Sequence, residues 1–374
     1  MIFSNKLIRY PLNIVFEEPV CLVKEHKHLG LLFTDDLKWS KHIKIIGNKA
    51  LQKIGLLFRL RAYLSRKQME TIYLNVIRPA LEYASIIYDN SAVKDMLFLD
   101  NVQRKAALTC TGTLRRTHNS ALVKELCWTE LGTRRKVTKL VWFFKIKIFQ
   151  SPQYLYNLIL PNLMHFNTSR IVTRSTSLIA IKLVNTKCRT MKYYKSFFPD
   201  CIRNWNSMKL ETVSNLSLVQ FKSYINRVLV PEFVNVVLSK DYIYCSVGRV
   251  SKLLTQFRVG LSPLRYSLYN YCITDNPFCE KCGNNLESLE HYFLECQYYS
   301  NERTNLFSEL TSLTLLFAET LYNYPPSPAE MLCYILNGFK TQRNNDTVCL
   351  NSLNVNKLLI RHVSQYIAST GRFV

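Results

Sequence analysis

Three cysteines and one histidine in the last third of the sequence have the spacing of a metal site. Cys279, Cys282, His291 and Cys296 follow the pattern C-x2-C-x8-H-x4-C. Thiolate sulfur and imidazole nitrogen suit Zn²⁺, and four such ligands complete a tetrahedral shell with no open position. Gly283 fits the turn of a knuckle, in which backbone N–H groups point at the sulfurs. The spacing therefore predicts a structural zinc site with these four ligands.

Two other interpretations of this segment stay open. The four side chains could lie in an ordinary buried arrangement without metal, and Cys272 could replace one ligand although it lies outside the best spacing. Bound zinc would contribute about 10–16 kcal/mol of apparent folding free energy to a segment with little core of its own. Most of the other cysteines stand among apolar neighbours and are typical of buried thiols in a reducing compartment.

The tetrapeptide Phe33-Thr34-Asp35-Asp36 has the aromatic-x-Asp-Asp pattern that suggests the catalytic turn of a polymerase. That chemistry needs two metal ions held by carboxylates from separate strands. Asp35, however, is the first Asp in the sequence, and the residues after it lead into a basic helix instead of a returning strand. We therefore assign no catalytic residue and expect Asp35 or Asp36 in the turn before that helix, where a carboxylate favours the N-terminus.

Two basic segments are candidates for contact with nucleic acid. In the second of them, cations surround Trp142, Phe143, Phe144 and Phe149. Cationic side chains would contact phosphates while aromatic rings pack inward or stack on bases. For any single residue, an ordinary solvated helix face remains the alternative. The candidate residues are Lys41, Lys44, Lys49, Lys53, Arg59, Arg61, Arg134, Arg135, Lys136 and Lys139.

The elements that position these residues are mostly helical. Residues 9–34 have the pattern of short strands, and apolar residues then recur at helical spacing over residues 41–62. Ser65 and Gln68 have the spacing of a capping box that starts a second helix, which Pro79 would kink. Further helices are predicted over 94–110, 134–149 and most of 301–374. The predicted fold class is mainly α with a small N-terminal β element.

Composition excludes several classes of protein. Of the 374 residues, 48% are hydrophobic, which is enough to bury a core and excludes a disordered polyelectrolyte. There is no run of 18 apolar residues and no apolar segment of the secretory type at the N-terminus. We therefore expect no membrane partner and an intracellular, reducing location in the nucleus or the cytoplasm.

The positive charge is confined to one part of the chain. Residues 1–250 account for the whole formal net charge of +23, whereas residues 251–374 have equal numbers of basic and acidic side chains. A phosphate backbone is the partner that uses such an excess most simply. An anionic membrane surface is the rival interpretation of the charge.

Several motifs together resemble a known family. His28-Leu29-Gly30, followed by Asp35-x-Leu37-x-Trp39-x-x-His42-Ile43, resembles the segment that closes the palm of reverse transcriptases from non-LTR retrotransposons of the jockey-like (LINE) type. The similarity extends along nearly the whole chain. The further motifs are Tyr73, Pro79, Leu81-Glu82-Tyr83-Ala84, Gln103-Arg104-Lys105-Ala106, Leu131-Gly132, Phe197-Phe198, Ile202-Arg203-Asn204-Trp205-Asn206, Phe221-Lys222, Arg303, Tyr366-Ile367, Thr370 and Arg372-Phe373.

The resemblance implies a division of the chain. By this analogy, residues 1–40 are the end of the palm, with a primer-grip-like element at His28, Leu29 and Gly30. Residues 41–112 are a helical thumb-like bundle that holds template–primer duplex. Residues 113–250 are a mixed, basic connection region. Residues 251–300 are a small zinc-knuckle region that helps to bind element RNA or target DNA, and residues 301–374 are a C-terminal helical tail.

The family is an RNA-directed DNA polymerase, but its metal-binding Asp residues lie upstream of the Leu-Gly motif. Too few residues precede Leu29 to hold them here. The expectation is therefore a truncated polymerase relative that binds RNA, DNA or both, with Mg²⁺ only if a catalytic palm completes it. Two alternatives are a fragment of an active polymerase whose palm is supplied elsewhere, and a metal-stabilised interaction module without a nucleic-acid role.

Overall fold

The computed structural model describes residues 23–148, 150–159, 183–208, 213, 216–230, 248–315, 327–337 and 346–373. These residues form a mainly helical protein with one two-stranded antiparallel sheet, as the sequence predicts. Up to residue 159 the elements are β1 (Glu25–His28), β2 (Leu31–Thr34), α1 (Ser40–Leu60), α2 (Arg66–Ile72), a π-helical segment (Tyr73–Ile77), α3 (Arg78–Glu82), α4 (Ser85–Tyr88), α5 (Val93–Thr111), α6 (Asn119–Leu126), α7 (Leu131–Lys147) and α8 (Gln153–Asn157).

The later elements are again helical. They are α9 (Met191–Tyr194), α10 (Phe197–Asn206), α11 (Leu218–Leu229), α12 (Gly248–Val259), α13 (Arg265–Asn270), a second π-helical segment (His291–Glu295), a 3₁₀ turn (Gln297–Tyr299), α14 (Ser300–Leu315), α15 (Pro328–Asn337) and α16 (Asp346–Ser369). No helix among the described residues has both the length and the apolar composition needed to cross a lipid bilayer.

The two strands form a hairpin closed by a two-residue turn. Glu25 pairs with Thr34 and His28 pairs with Leu31. The turn residues Leu29 and Gly30 have φ angles of 44° and 83°. Two successive positive φ values are the geometry that matches the right-handed twist of a tight hairpin. The part of the predicted strand region before residue 23 lies outside the described residues.

The capping box predicted at Ser65 is confirmed. The Ser65 side chain accepts a hydrogen bond from the backbone N–H of Gln68, and the Gln68 side chain accepts one from the backbone N–H of Ser65. The chain is helical without interruption from Arg66 to Glu82, through α2, the π-helical segment and α3, and α4 follows after Tyr83 and Ala84. Pro79 is the second residue of α3 and follows directly on the π-helical segment, and its missing N–H removes one donor from the helical hydrogen bonds there.

The chain divides into two compact units, each built from non-contiguous segments. Unit 1 comprises residues 1–53, 74–103 and 129–235, and unit 2 comprises residues 54–73, 104–128 and 236–374. In unit 1 the core lies between α7, α10 and α11. Its rings include Phe144 and Phe221, which stack with centroids 4.1 Å apart.

The core of unit 2 surrounds the second π-helical segment. Phe257, Tyr292 and Phe293 are buried there, and the chain end adds Tyr366 and Phe373. The ring centroids of Tyr292 and Phe373 lie 5.6 Å apart. This aromatic core supports the segment that contains the predicted metal ligands.

Candidate metal centre and basic surfaces

A short hairpin-like turn, residues 277–287, places the first two cysteines close together; we call it the knuckle. Phe278 and Leu286 form an isolated antiparallel bridge. The backbone N–H of Cys279 donates to the carbonyl oxygen of Asn285 over 2.8 Å, and the N–H of Gly283 donates to the carbonyl oxygen of Cys279 over 2.9 Å. Gly283 has a φ of +73°, which a residue with a side chain rarely adopts.

The second π-helical segment supplies the other two ligands from its two ends. The backbone N–H of His291 donates to the Ser288 hydroxyl over 3.0 Å. The N–H of Cys296, just past the segment, donates to the carbonyl oxygen of His291 over 2.8 Å. Single π-helical turns occur often at functional sites because they shift side chains relative to the regular helix. Here His291 and Cys296 are both directed towards the knuckle cysteines.

The four predicted ligands converge. Their ligand atoms all lie within 4.8 Å of one another. The Sγ atoms of Cys279 and Cys296 are 4.0 Å apart, and Cys282 Sγ lies 3.3 Å from His291 Nε2. Zn–S bonds of about 2.3 Å place two sulfurs of a tetrahedral site about 3.8 Å apart, close to the spacing found. The cluster could therefore hold a metal ion, whereas the sulfurs are too far apart for a disulfide, which needs about 2 Å.

Burial and hydrogen bonding act on these thiols in opposite directions. Burial raises the pKa of Cys282, but the backbone groups of Asn284 and Asn285 and the other thiols outweigh it, so that its pKa lies below the ordinary value. Burial, opposed in part by the backbone of Tyr298, raises the pKa of Cys296 to about 11. Metal ligation requires the thiolate form. A bound cation would therefore supply the charge that stabilises the buried thiolate of Cys296.

The second nitrogen of His291 faces a carboxylate. Nδ1 of His291 is buried and has no hydrogen-bond partner among the described residues, and Oε2 of Glu295 lies 3.6 Å from it. Histidine ligands commonly donate their other N–H to a carboxylate, which orients the ring. Glu295 lies one turn along the same segment and is placed for this role. Cys272, the substitute ligand considered from sequence, is exposed and lies outside the cluster.

The chain end packs on this site through residues that sequence reasoning did not assign to it. The side chain of Glu287, which is 1% exposed, accepts hydrogen bonds from Arg372 Nε over 2.7 Å and from Arg372 Nη2 over 3.0 Å. The Tyr366 hydroxyl donates to the carbonyl oxygen of Tyr292 over 2.7 Å, and the hydroxyls of Tyr292 and Thr370 are 2.9 Å apart. In the sequence, Tyr366, Thr370 and Arg372 belong to the motifs of the family resemblance, and nothing near them indicates contact with the metal site.

A buried ion network in unit 2 also escaped sequence reasoning. Glu125 Oε1 lies 2.9 Å from Arg66 Nη1 and 2.8 Å from Arg258 Nη2. Arg66 also binds Glu70 over 2.8 Å. The side chains of these four residues are 5 to 10% exposed. Two positive and two negative charges balance, so that the network can remain ionised away from water.

The basic residues predicted around α1 lie at the surface. Lys41, Lys44, Lys49, Lys53 and Arg59 of α1 are exposed, and so is Arg61 just after it. Buried residues of the same helix include Ile43, Ala50, Ile54 and Leu57. Lys41 forms an ion pair with Glu25. The sequence of α1 contains no Asp or Glu, so the helix offers its cations without an acidic residue of its own.

The basic residues predicted on α7 are placed differently. The Arg135 guanidinium is 2.8 Å from Asp89, and the Lys139 ammonium is 2.6 Å from Asp89 and also paired with Asp200; both side chains are less than a tenth exposed. Arg134 is paired with Glu82, and Lys136 is half-buried. Arg135 and Lys139 therefore neutralise carboxylates inside unit 1, and a phosphate could reach them only by breaking those pairs.

The predicted primer-grip-like residues form the exposed tip of the hairpin. Leu29 is 76% exposed, and its carbonyl oxygen accepts a hydrogen bond from the Tyr83 hydroxyl over 2.9 Å. A Cβ atom at Gly30 would come within 3.3 Å of the Tyr83 ring. Tyr83 belongs to one of the family-like motifs, and this contact connects it to the His28-Leu29-Gly30 turn.

Asp35 and Asp36 lie in the turn before α1, where the sequence places them. Asp36 Oδ1 accepts hydrogen bonds from the Thr34 hydroxyl over 2.7 Å and from the backbone N–H of Lys38 over 3.1 Å. Hydrogen bonds from the Lys38 side chain, Thr34 and the Lys38 backbone hold the pKa of Asp36 well below its usual value. Both carboxylates bond to this turn: Asp35 Oδ1 accepts from the backbone N–H of Asp36 over 2.9 Å.

Comparison with known proteins gives no relative: no family model, no curated protein and no solved structure matches the chain.

Proposed function

We propose that this chain binds RNA or DNA as a relative of the thumb, connection and zinc-knuckle part of non-LTR retrotransposon reverse transcriptases, without synthesis of its own. The single observation that carries the proposal is the surface of α1. Its five cations are exposed, and the helix contains no acidic residue. Positive groups that neutralise phosphates release counterions, which is the main source of affinity for nucleic acids without sequence preference.

The proposed contact set is narrower than the one expected from sequence. It keeps Lys44, Lys49, Lys53, Arg59 and Arg61, which are exposed. It gives Arg135 and Lys139 a structural role, because each is buried against a carboxylate. Asp35 and Asp36 take part in the turn that starts α1, and the proposal gives them no catalytic role.

Zinc is the proposed metal for the four-ligand cluster. Three sulfur ligands and one imidazole nitrogen are a donor set that structural zinc sites use, and they leave no open position for a substrate. Cys279, Cys282, His291 and Cys296 would hold the ion, which would supply folding free energy to the knuckle. The proposed role is therefore structural, with the metal positioning the knuckle beside the aromatic core of unit 2.

A salt titration tests the binding function. Fluorescence anisotropy with labelled 20-nucleotide RNA, single-stranded DNA and duplex DNA should show affinity that falls steeply between about 50 and 200 mM salt, since each phosphate contact contributes a slope of roughly −0.7 to −0.9. Lys44→Glu/Lys49→Glu should weaken binding at least tenfold. The matched control, Lys357→Glu/Arg361→Glu, reverses two charges on α16 in the electrically neutral part of the chain and should bind like wild type.

Two outcomes would overturn the proposal. An affinity that does not change with ionic strength would contradict binding through charge. Equal binding by both double variants would contradict the role of α1. Primer extension with the full chain and Mg²⁺ should yield no product, and robust synthesis would favour the polymerase alternative.

A further inference from the structure

A cleft of about 400 Å³ lies in unit 1 between α7 and α11. The two helices pack closely beside it, because the rings of Phe144 and Phe221 stack with centroids 4.1 Å apart and planes 5° from parallel. Trp142 and Lys145 of α7 line the cleft from one side and Lys222 of α11 from the other. We call it the Trp142 cleft. Its volume falls within the range of about 300–1,000 Å³ that is common for ligand pockets.

The lining of the Trp142 cleft is positively charged. Lys145, Lys222 and Arg134 contribute to it, and no carboxylate is among its described lining residues. Arg134 is engaged by Glu82. Lys145 and Lys222, in contrast, form no salt bridge with any residue in the described part of the chain. Their two charges make the cleft complementary to an anion.

Trp142 differs from the other aromatic residues of its helix. Phe143 and Phe144 are fully buried, whereas the side chain of Trp142 is 38% exposed. The Lys145 ammonium lies over one face of the Trp142 ring, 4.6 Å from its centroid, so that a base would stack on the other face or displace the ammonium towards a phosphate. The indole is accessible and lies next to cations, and no carboxylate is among the described residues that line the cleft. Single-strand-binding proteins use such an arrangement, in which the ring stacks on a base while the cations follow the backbone.

We propose that the Trp142 cleft binds one nucleotide of a single-stranded nucleic acid, with the base stacked on Trp142 and the adjacent phosphates on Lys145 and Lys222. This subsite deepens the proposed nucleic-acid function and rests on it. It adds a base-dependent contribution to a binding that α1 would make through phosphates alone. Single strands gain this contribution and duplexes do not, because the bases of a duplex are already stacked.

The test separates bases from charges. Two labelled 12-mers of equal charge, oligo-dT and an abasic deoxyribose-phosphate oligomer, are titrated with the full chain. Wild type should bind oligo-dT more tightly, and Trp142→Ala should lose about 5- to 100-fold for oligo-dT while binding of the abasic oligomer is unchanged. Tyr154→Ala, which removes a ring that is 65% exposed, is the control for a non-specific aromatic effect and should resemble wild type.

The lysines have their own pair of variants. Lys145→Ala/Lys222→Ala should weaken binding to both oligomers and reduce the salt slope by about 1.4. Lys136→Ala, on the same helix but outside the lining of the cleft, should leave the slope near that of wild type. Trp142→Phe is a conservative variant that controls for misfolding, because it keeps a smaller ring on which a base can stack. In this variant the quenching of tryptophan emission that oligo-dT causes in wild type should disappear.

The outcomes distinguish this inference from the function on which it rests. If wild type binds oligo-dT and the abasic oligomer equally, or if Trp142→Ala keeps the preference for bases, the subsite is wrong while nucleic-acid binding survives. If wild type binds neither oligomer at low salt, the subsite is wrong, and the proposed function falls with it only when RNA and duplex DNA also fail to bind.

Discussion

Arg372, next to the last described residue of the chain, donates two hydrogen bonds to the side chain of Glu287, which lies in the knuckle 85 residues earlier. Glu287 is almost fully buried, and its Oε2 also accepts the backbone N–H of Arg265 over 2.8 Å. Because the carboxylate is buried, the guanidinium is the group that balances its charge. The end of the chain is thereby joined to the segment that carries the first two metal ligands.

Breaking this pair should destabilise unit 2. Arg372→Met should lower the free energy of unfolding by about 3–5 kcal/mol, because it leaves the buried carboxylate of Glu287 without its guanidinium. Glu287→Gln should cost less, because Arg372 keeps its ion pair with Glu280 over 3.1 Å. The double variant should lose less free energy of unfolding than the two single variants lose together. Urea unfolding of the zinc-loaded protein, followed by circular dichroism, measures these values.

Arg265→Ala is the matched control for that pair. It removes the ion pair between Arg265 and Glu280, in which the two side chains are 29% and 41% exposed. The loss should lower the free energy of unfolding by about 0–1 kcal/mol. Single variants of Glu287 and Arg372 that are as stable as this control would contradict the importance of the buried pair.

The buried network around Glu125 predicts a specific loss of stability in acid. Burial raises the pKa of Glu125, but Arg258 and Arg66 outweigh it and hold the pKa below its usual value. A carboxyl with a lowered folded-state pKa contributes stability that is present above its unfolded pKa of about 4.3 and is lost as pH falls through the folded value. Unfolding measured from pH 7 to pH 3 should therefore be less pH-dependent in Glu125→Gln than in wild type.

At pH 7 the same variant should be less stable by about 3–5 kcal/mol, since two buried guanidinium groups lose their shared carboxylate. Glu309→Gln removes an exposed carboxylate from α14 and should change stability by no more than about 0.5 kcal/mol. Parallel pH curves for wild type and Glu125→Gln would show that the network carries no such linkage.

We expect a substitution at Leu29 to have opposite effects on the stability of the protein and on its binding of nucleic acid. Its φ of 44° is unfavourable for a branched side chain, and the side chain is exposed. Leu29→Asn creates the Asn-Gly pair that this kind of hairpin turn favours, and should stabilise the protein by about 0.5–1 kcal/mol. If the tip contacts nucleic acid, the same substitution should weaken binding.

Thermal unfolding and anisotropy on one preparation measure both effects. Leu29→Ala is the control, because it shortens the side chain while keeping the unfavourable φ. A gain in stability with unchanged binding would remove the primer-grip-like role of the turn, and a loss of stability in Leu29→Asn would contradict the strain.

The local features of this chain were predictable from sequence, and the long-range ones were not. The ligand spacing and the Ser65 capping box depend on residues close in sequence, so their geometry follows from local rules. Which charged side chains become buried does not follow from local rules. Arg135 is buried against Asp89, whereas the neighbouring Lys136 is only half-buried. Adjacent helix positions lie 100° apart, and only the arrival of distant acidic residues decides which position becomes internal.

The Glu287–Arg372 pair has the same physical origin. Nothing near Glu287 in sequence marks it as buried, because its partner comes from the far end of the helical tail. The predicted ligands could be found from their spacing alone, but the residues that support them became visible only once the chain end was placed in space.

Metal analysis of the purified full chain tests the proposal that Cys279, Cys282, His291 and Cys296 together hold one structural Zn²⁺. The expected result is one zinc per chain, with X-ray absorption giving three sulfur neighbours at about 2.3 Å and one nitrogen at about 2.0–2.1 Å. Cys279→Ser/Cys282→Ser should lose the metal, and Cys272→Ser should retain it. A zinc content near zero in the wild type, or full retention of zinc by Cys279→Ser/Cys282→Ser, would contradict the proposed zinc site.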